Sequence, residues 1–433
     1  MPQIPNLRWW IGGLLAVATA LNYLDRQSFP VLVKVVQQDI PISDREYSVL
    51  QGLFLLAYGL MYAGGGRLAD RVGTRAGYTI IILWWSAATF LHGLASSVML
   101  LGVFRFLLGL GEGGAFPASA KAVSEWFTPA QRSLAFGLFN TGSSVGAVIA
   151  PPLIALMVSV FGDWRWVFWV TGVFGVAWAG LWWKLYAIPS RHSMVTPAER
   201  EMLSAVIPAL EKPIPYRLLF RHRPVWGLMA AKFLTDSAWF FFIFWLPKYL
   251  SDVRGLSIRE IGSYAWIPYA FAGVGSLAGG WLSSFLIRRR LSLNAARKLP
   301  LAFSAALMPV SVLIVSVPLG FALMLFSIVL FGHQFWSTIL QTLAADFFTP
   351  RSVGSVAGLM GATGSFGAML FNLSVGILLA HFHGYAIVFA IAGVLHPISF
   401  LILWFSARQI RQLDLNSTSG IQELTWRTNS PTS

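Results

Sequence analysis

The sequence predicts an all-α polytopic membrane protein, with twelve transmembrane helices in two pseudo-symmetric six-helix halves. Three observations carry that prediction. Of 433 residues, 56% are hydrophobic and only 11% charged, against roughly a quarter charged in ordinary soluble domains. Twelve apolar runs are long enough to cross a bilayer core of about 30 Å; they fall at 9–36, 46–66, 76–96, 99–123, 133–160, 164–187, 225–250, 259–287, 299–318, 320–345, 353–380 and 385–407. With a cytoplasmic N-terminus, about 22 of the 31 Lys and Arg fall in cytoplasmic segments and about five in outside loops, the asymmetry of the positive-inside rule.

The net charge of +14 is therefore a topology signal, and no nucleic acid is expected as a partner. Without cysteine there is no disulfide, no thiolate metal site and no thiol nucleophile. No metal-ligand cluster or nucleophile–base constellation is visible, so no enzyme, metal or cofactor is expected. Arg8 and Ala18-Thr19-Ala20 resemble a cleavable signal peptide. The basic region is thin, however, and cleavage would remove most of the first span. The expected location is a bacterial inner membrane, multi-pass, in contact with lipid, with both termini cytoplasmic and the chain a monomer.

The first span carries Asn22-Tyr23-Leu24-Asp25-Arg26-Gln27. At 1.5 Å per residue, Asp25 lies about 24 Å along it, still within the membrane once the helix tilts or bends at Pro30. A charge at that depth costs several kcal/mol by most estimates, so it faces an interior cavity or carries function. Asp25 and Arg26 are adjacent and point about 100° apart, which argues against their pairing with each other. The second span places Gln51 and Tyr58 on one face, seven residues apart. The fourth places Arg105 and Glu112 on one face, amid Gly109, Gly111, Gly113, Gly114 and Ala115, which allow close helix approach. Two readings stand: a structural ion pair tying the fourth span to the first, or Arg105 binding an anionic substrate while Glu112 carries a proton. Arginine suits a carboxylate through its planar fork of donors. Burial penalises the charged form of a carboxyl group, which suits a proton carrier.

The fifth span brings Asn140, a polar group that needs a partner at membrane depth. Residues 189–223 are proline-rich and polar, a cytoplasmic linker between halves 1–188 and 224–407, with Thr196-Pro197-Ala198-Glu199 as a capped helix start. An ungapped shift of 221 lays residues 125–149 on 346–370, matching Phe127-Thr128-Pro129 to Phe348-Thr349-Pro350 and Glu125 to Asp346. Parallel repeats of this kind relate the two halves of some transporters. The same shift sets Glu112 opposite His333. In the second half Lys232 and Asp236 lie one turn apart, as a structural pair or a ligand site. His333, Gln334 and Asn372 are further ligand candidates. The Arg288-Arg289-Arg290 run reads as cytoplasmic topology and lipid contact. Residues 408–433 read as a disordered cytoplasmic tail.

The loop Gly66-Arg67-Leu68-Ala69-Asp70-Arg71-Val72-Gly73-Thr74-Arg75 resembles that between the second and third helices of the major facilitator superfamily, G-x-L-A-D-R-x-G-R-K/R, with Thr74 in place of a basic residue. In that family the loop is a conformational latch. This assigns Gly66, Asp70, Arg71, Gly73 and Arg75 to a latch and says nothing of substrate. Tyr23-Leu24-Asp25-Arg26, Ser124-Glu125-Trp126-Phe127, Phe139 to Ala147, Ala150-Pro151-Pro152, Ala265-Trp266-Ile267-Pro268 and Gly332-His333-Gln334 resemble the anion:cation symporter branch, and within it bacterial hexuronate transporters. The likeness spans about 8–407. It implies proton handling at Asp25 and Glu112, a substrate carboxylate on Arg105, and Tyr23 and Tyr58 lining the site.

The expected function is import of a sugar acid, a hexuronate such as glucuronate or galacturonate, with protons by alternating access. Arg26, Lys232, Asn140, His333, Gln334 and Asn372 would assist binding. Galactonate and glucarate remain alternative substrates, and exchange an alternative mechanism. An exporter of hydrophobic cations is disfavoured by two arginines in the first half.

Overall fold

The computed structural model describes residues 3–204, 216–348 and 350–413, and within them the side chains of all but 63–70, 129, 130, 133, 204, 350 and 351. Regular structure among the described residues is helical, with one isolated bridge between Ile4 and Val195. The helices are α1 (Leu7–Asp39), α2 (Asp44–Val72), α3 (Thr74–His92), α4 (Val98–Gly113), α5 (Ala115–Trp126), α6 (Pro129–Phe161), α7 (Arg165–Leu185), α8 (Pro197–Ser204), α9 (Tyr216–Leu219), α10 (Arg223–Asp252), α11 (Ile258–Tyr264), α12 (Trp266–Arg288), α13 (Leu293–Leu307), α14 (Leu319–Phe347), α15 (Pro350–Phe382) and α16 (Ala386–Ser406). Joining α4 to α5, α11 to α12, and α13 to the 3-10 turn Met308–Val315 leaves twelve long segments among the described residues, consistent with the twelve predicted spans. Nine of them are long and apolar enough to cross a membrane by length and composition alone.

The helix ends follow local chemistry. Ser43 and Glu46 form a reciprocal capping box at the start of α2, as Ser257 and Glu260 do at α11. Gly162 closes α6 at φ 74°, a conformation glycine adopts without steric cost. The predicted cap at Thr196 is present: its hydroxyl accepts from the Glu199 N–H at 3.2 Å.

Packing repeats along the chain. In the first set α1 lies along α6, α2 along α4, and α3 along α7. In the second, α10 lies along α15, α12 along α14, and α16 against α13 and its 3-10 extension. The sets meet where α2 runs along α15, α6 against α11 and α12, and α1 against α10. Glycines permit the closest crossings. Gly142 and Gly146 of α6 rest on the carbonyls of Ala16 and Ala20 of α1, leaving no room for a Cβ. Residues 205–215 of the expected linker and 414–433 of the expected tail lie outside the described residues.

Candidate functional site

Helices α1, α2 and α4 bring two arginines and a glutamate together inside an aromatic chamber. Arg26 Nε donates to Glu112 Oε2 at 2.9 Å, and Arg26 Nη2 to Asn22 Oδ1 at 3.0 Å. Its guanidinium carbon lies 4.6 Å from the Tyr23 ring centre and 4.8 Å from that of Tyr58. Phe54 and Phe240 complete the enclosure at 5.6 and 5.8 Å. A delocalised, weakly hydrated cation is the one best suited to stacking on aromatic faces.

Arg105 is held differently. Its Nη2 donates to Gln51 Oε1, and its guanidinium packs over Phe54 at 4.6 Å, with Phe29 and Phe244 at 5.4 and 5.8 Å. The residue is fully buried, and among the described residues its Nε and Nη1 have no hydrogen-bond partner. Phe54 thus lies beside both guanidinium groups. The i, i+7 spacing of Arg105 and Glu112 puts them on one face of α4, yet the direct ion pair runs from Glu112 to Arg26.

Asp25 diverges from its neighbour. It faces Trp85 and Thr89 of α3 and Thr171 of α7, with Glu112 within electrostatic reach, and among the described residues neither carboxylate oxygen has a partner in full hydrogen-bond geometry. All four residues are buried.

The second set contributes from α10, α14 and α15. Lys232 and Asp236 form a 2.8 Å ion pair on α10 beside Gly364 of α15. Asn372 is buried; its carbonyl accepts from Trp245 Nε1 at 3.0 Å and its amide donates to the Ala368 carbonyl at 2.9 Å. His333 stacks on Trp239, ring centres 4.7 Å apart and 11° from parallel, while Gln334 beside it is half-buried. Asn140 is exposed on α6, one turn from Ser144, which packs at Gly273 of α12.

Of the latch, the side chains of Gly66 and Asp70 lie outside the described residues. Arg71 is exposed, and Gly73 takes φ 83° between α2 and α3. Arg75 Nε donates to the Trp183 carbonyl at 2.8 Å, with its guanidinium over the Trp183 ring. Thr74 donates to Glu125 at 2.7 Å, and Tyr186 donates to the same carboxylate. Thr74 and Arg75 therefore tie the start of α3 to α5 and α7. In the second set Arg297 donates to Asp346, the repeat counterpart of Glu125, at 2.7 and 3.2 Å.

One end of the bundle is shut by charge. Lys34 of α1 pairs with Asp252 of α10 at 2.5 Å, and Lys248 of α10 pairs with Asp44 of α2 at 2.7 Å and with Asp252. Near it Tyr47 donates to the Phe244 carbonyl at 2.6 Å. Toward the other end, Glu199 accepts from the backbone N–H groups of Leu7 and Arg8 and pairs with the Arg8 guanidinium at 2.7 Å, tying the linker to the start of α1.

Sequence reasoning passed over Asn22, Gln51 and His396 as site residues. Asn22 sits one turn before Arg26, a readable spacing. His396 is a lone histidine in the last span, with no local signal.

A family model described as Major Facilitator Superfamily matches residues 15–372. The chain is 33% identical over 413 residues to a hexuronate transporter of Escherichia coli strain K12, covering 93% of this chain and 95% of that protein. It is 32% identical to a galacturonate transporter of Dickeya chrysanthemi, over 71% of this chain and 91% of the relative. A D-galactonate transporter of Escherichia coli O6:H1 is 29% identical, over 86% and 89%. Among solved structures, a bacterial homolog of the human lysosomal transporter Spinster in an inward-facing, unoccupied conformation superposes with a TM-score of 0.71. It is 20% identical and the match covers 94% of this chain and 96% of that one. That likeness speaks to the fold.

Proposed function

The chain belongs to the major facilitator superfamily, and from that premise we propose that this multi-pass transport protein imports a sugar acid with protons by alternating access. The substrate class is a hexuronate such as glucuronate or galacturonate. The hexuronate and galacturonate transporters among its relatives support that choice. The observation that carries the reading is Arg105: a buried guanidinium with, among the described residues, two unused donors and no acidic side chain ion-paired to it, and with aromatic walls. A carboxylate would take one of those donors in parallel with the Nη2 hydrogen that Gln51 leaves unused.

The cluster holds two guanidinium groups and one carboxylate, so one positive charge is left for an arriving anion. Protonation of Glu112 would free Arg26 as well, and that is the proposed link between proton and substrate. Linkage requires that each stabilise the bound state of the other. Tyr23, Tyr58, Asn140, Lys232, His333, Gln334 and Asn372 would bind the hydroxyls, which otherwise lose their hydrogen bonds to water. Asp25 would carry a proton on the α3–α7 side. Residues 1–188 and 224–407 would act as two six-helix halves that rock about the site, with the linker and latch on the cytoplasmic side of a bacterial inner membrane. The repeated helix pairings support that division. The charge-closed end would then be the outer mouth.

The test is uptake of labelled glucuronate into proteoliposomes under an inward proton gradient, with galacturonate, galactonate, glucarate and phosphate as competitors. Concentrative uptake that a protonophore collapses and galacturonate competes is expected. Folded, oriented protein without such uptake overturns the hexuronate assignment. Glu112→Gln is expected to lose concentrative uptake and keep substrate exchange; a variant that still concentrates substrate would remove Glu112 from the proton path.

A further inference from the structure

His396 of α16 lies far from the helices that build the arginine cluster, yet it is bound to a candidate ligand residue. Its Nε2 is 3.1 Å from His333 Nδ1, and the two rings meet edge to face, 83° apart. Trp336 packs against the His396 ring at 5.5 Å. Both histidines are buried. With one face of His333 on Trp239 and its Nδ1 edge on His396, the ring has a single nitrogen left, Nε2.

The shared contact holds one hydrogen, so one ring donates and the other accepts. The unpartnered atom decides between the two arrangements. His396 Nδ1 has no partner among the described residues. Were His333 the donor, a neutral His396 would carry its hydrogen on Nδ1, as an orphaned buried N–H. Orphaned donors are the rarer defect in folded proteins, and under-satisfied acceptors the commoner one. The favoured arrangement therefore has His396 Nε2–H donating to His333 Nδ1. His333 must then carry its own hydrogen on Nε2.

We propose that His396 is a positioning residue that fixes His333 as an Nε2–H donor toward the carried acid. A rigid N–H donor suits a sugar acid, whose carboxylate and hydroxyl oxygens all accept. This rests on the sugar-acid reading above. The charged group within electrostatic reach of both rings is Lys232 of α10, itself ion-paired with Asp236.

Two variants separate positioning from packing. Glutamine at 396 places its amide nitrogen where His Nε2 stood and can donate; asparagine places its amide near Nδ1 and falls short. Both are polar and burden the core alike. The readout is equimolar exchange of labelled glucuronate, and separately galactonate, in proteoliposomes, scored as KM against maximal rate. H396N is expected to raise KM about three- to tenfold at unchanged maximal rate, and H396Q to stay within about twofold of the wild type. H396N and H396Q with the same KM as each other overturn the proposal. Wild-type protein that exchanges neither acid overturns the sugar-acid reading first, and this proposal with it.

Discussion

Asp252→Asn is expected to loosen the end of the bundle that the proposed cycle must open. Asp252 is the shared acid of the network, pairing with Lys34 across the two helix sets and with Lys248 on its own helix. The two bonds differ in value. Lys34 is 43% exposed on its side chain, so that pair is worth roughly 0–1 kcal/mol. Lys248 is only 3% exposed and would keep Asp44 while losing one acceptor, at a cost of about 1–3 kcal/mol. Of these two pairs only that with Lys34 crosses between the helix sets; the Lys248–Asp252 pair lies within α10 and is present whether that end is open or closed. The equilibrium therefore shifts away from the closed end by up to about 1 kcal/mol, about fivefold.

The chain has no cysteine, so one introduced thiol reports cleanly. Ser48 is buried on α2 against Gly376 of α15, and its hydroxyl only caps the Arg45 carbonyl. A Ser48→Cys parent is expected to react slowly with an impermeant maleimide, and S48C/D252N up to about fivefold faster. Equal labelling rates in protein of the same elution profile and thermal stability would refute the reasoning, because the ion pairs would then not hold this end shut.

Three further outcomes follow from the same geometry. Arg105→Lys keeps the charge but loses the planar fork and the Gln51 geometry; glucuronate KM is expected to rise at least about tenfold, with stability within about 1 kcal/mol by thermal shift. Arg26→Met strands Glu112 without its ion pair, and a loss of about 3–5 kcal/mol is expected, whereas R26M/E112L removes both charges and should recover most of that stability without recovering transport. Gly142→Leu would drive a side chain into the Ala16 carbonyl; separation of α1 from α6 should show as aggregated protein on size-exclusion chromatography, while Gly180→Leu, where nothing lies within reach of a Cβ, should elute as the wild type does.

The spans were legible because apolar runs and charge sorting are properties of the sequence itself. Their interruptions were not. Gly114 separates α4 from α5 and Ala265 separates α11 from α12, and a bend inside an apolar run leaves hydropathy unchanged. The cue they did leave is proline: Pro117 and Pro268 stand four residues after Gly113 and Tyr264, the last residues of α4 and α11, and Pro309 opens the 3-10 turn at Met308–Val315. In the site, the acids and arginines stood out as charges at apolar depth. Their pairing did not, because a partner on another helix depends on helix rotation and separation. Spacing along α4 offered Arg105 to Glu112, while crossing geometry supplied Arg26. His396 was invisible for the same reason: its partner is 63 residues away in the chain.

That pairing makes the two buried acids unlike each other, although the sequence presents them as a matched set. Glu112 is neutralised by Arg26 in the cluster where the anion is proposed to bind, so the Glu112 carboxylate and a substrate carboxylate would compete there for the same guanidinium, and a proton on Glu112 would release it to the substrate. Asp25 faces two threonines and a tryptophan with no cation bonded to it, so its proton would act on the guanidinium groups indirectly, through its repulsion with Glu112 and through α1, one residue from Arg26. The two neutral variants should therefore differ in kind. Glu112→Gln frees a guanidinium and should lower the KM for exchange as it abolishes concentrative uptake. Asp25→Asn leaves the cluster intact and should leave exchange KM within about twofold of the wild type. Equal changes in exchange KM for the two variants would mean that both acids act on the same guanidinium.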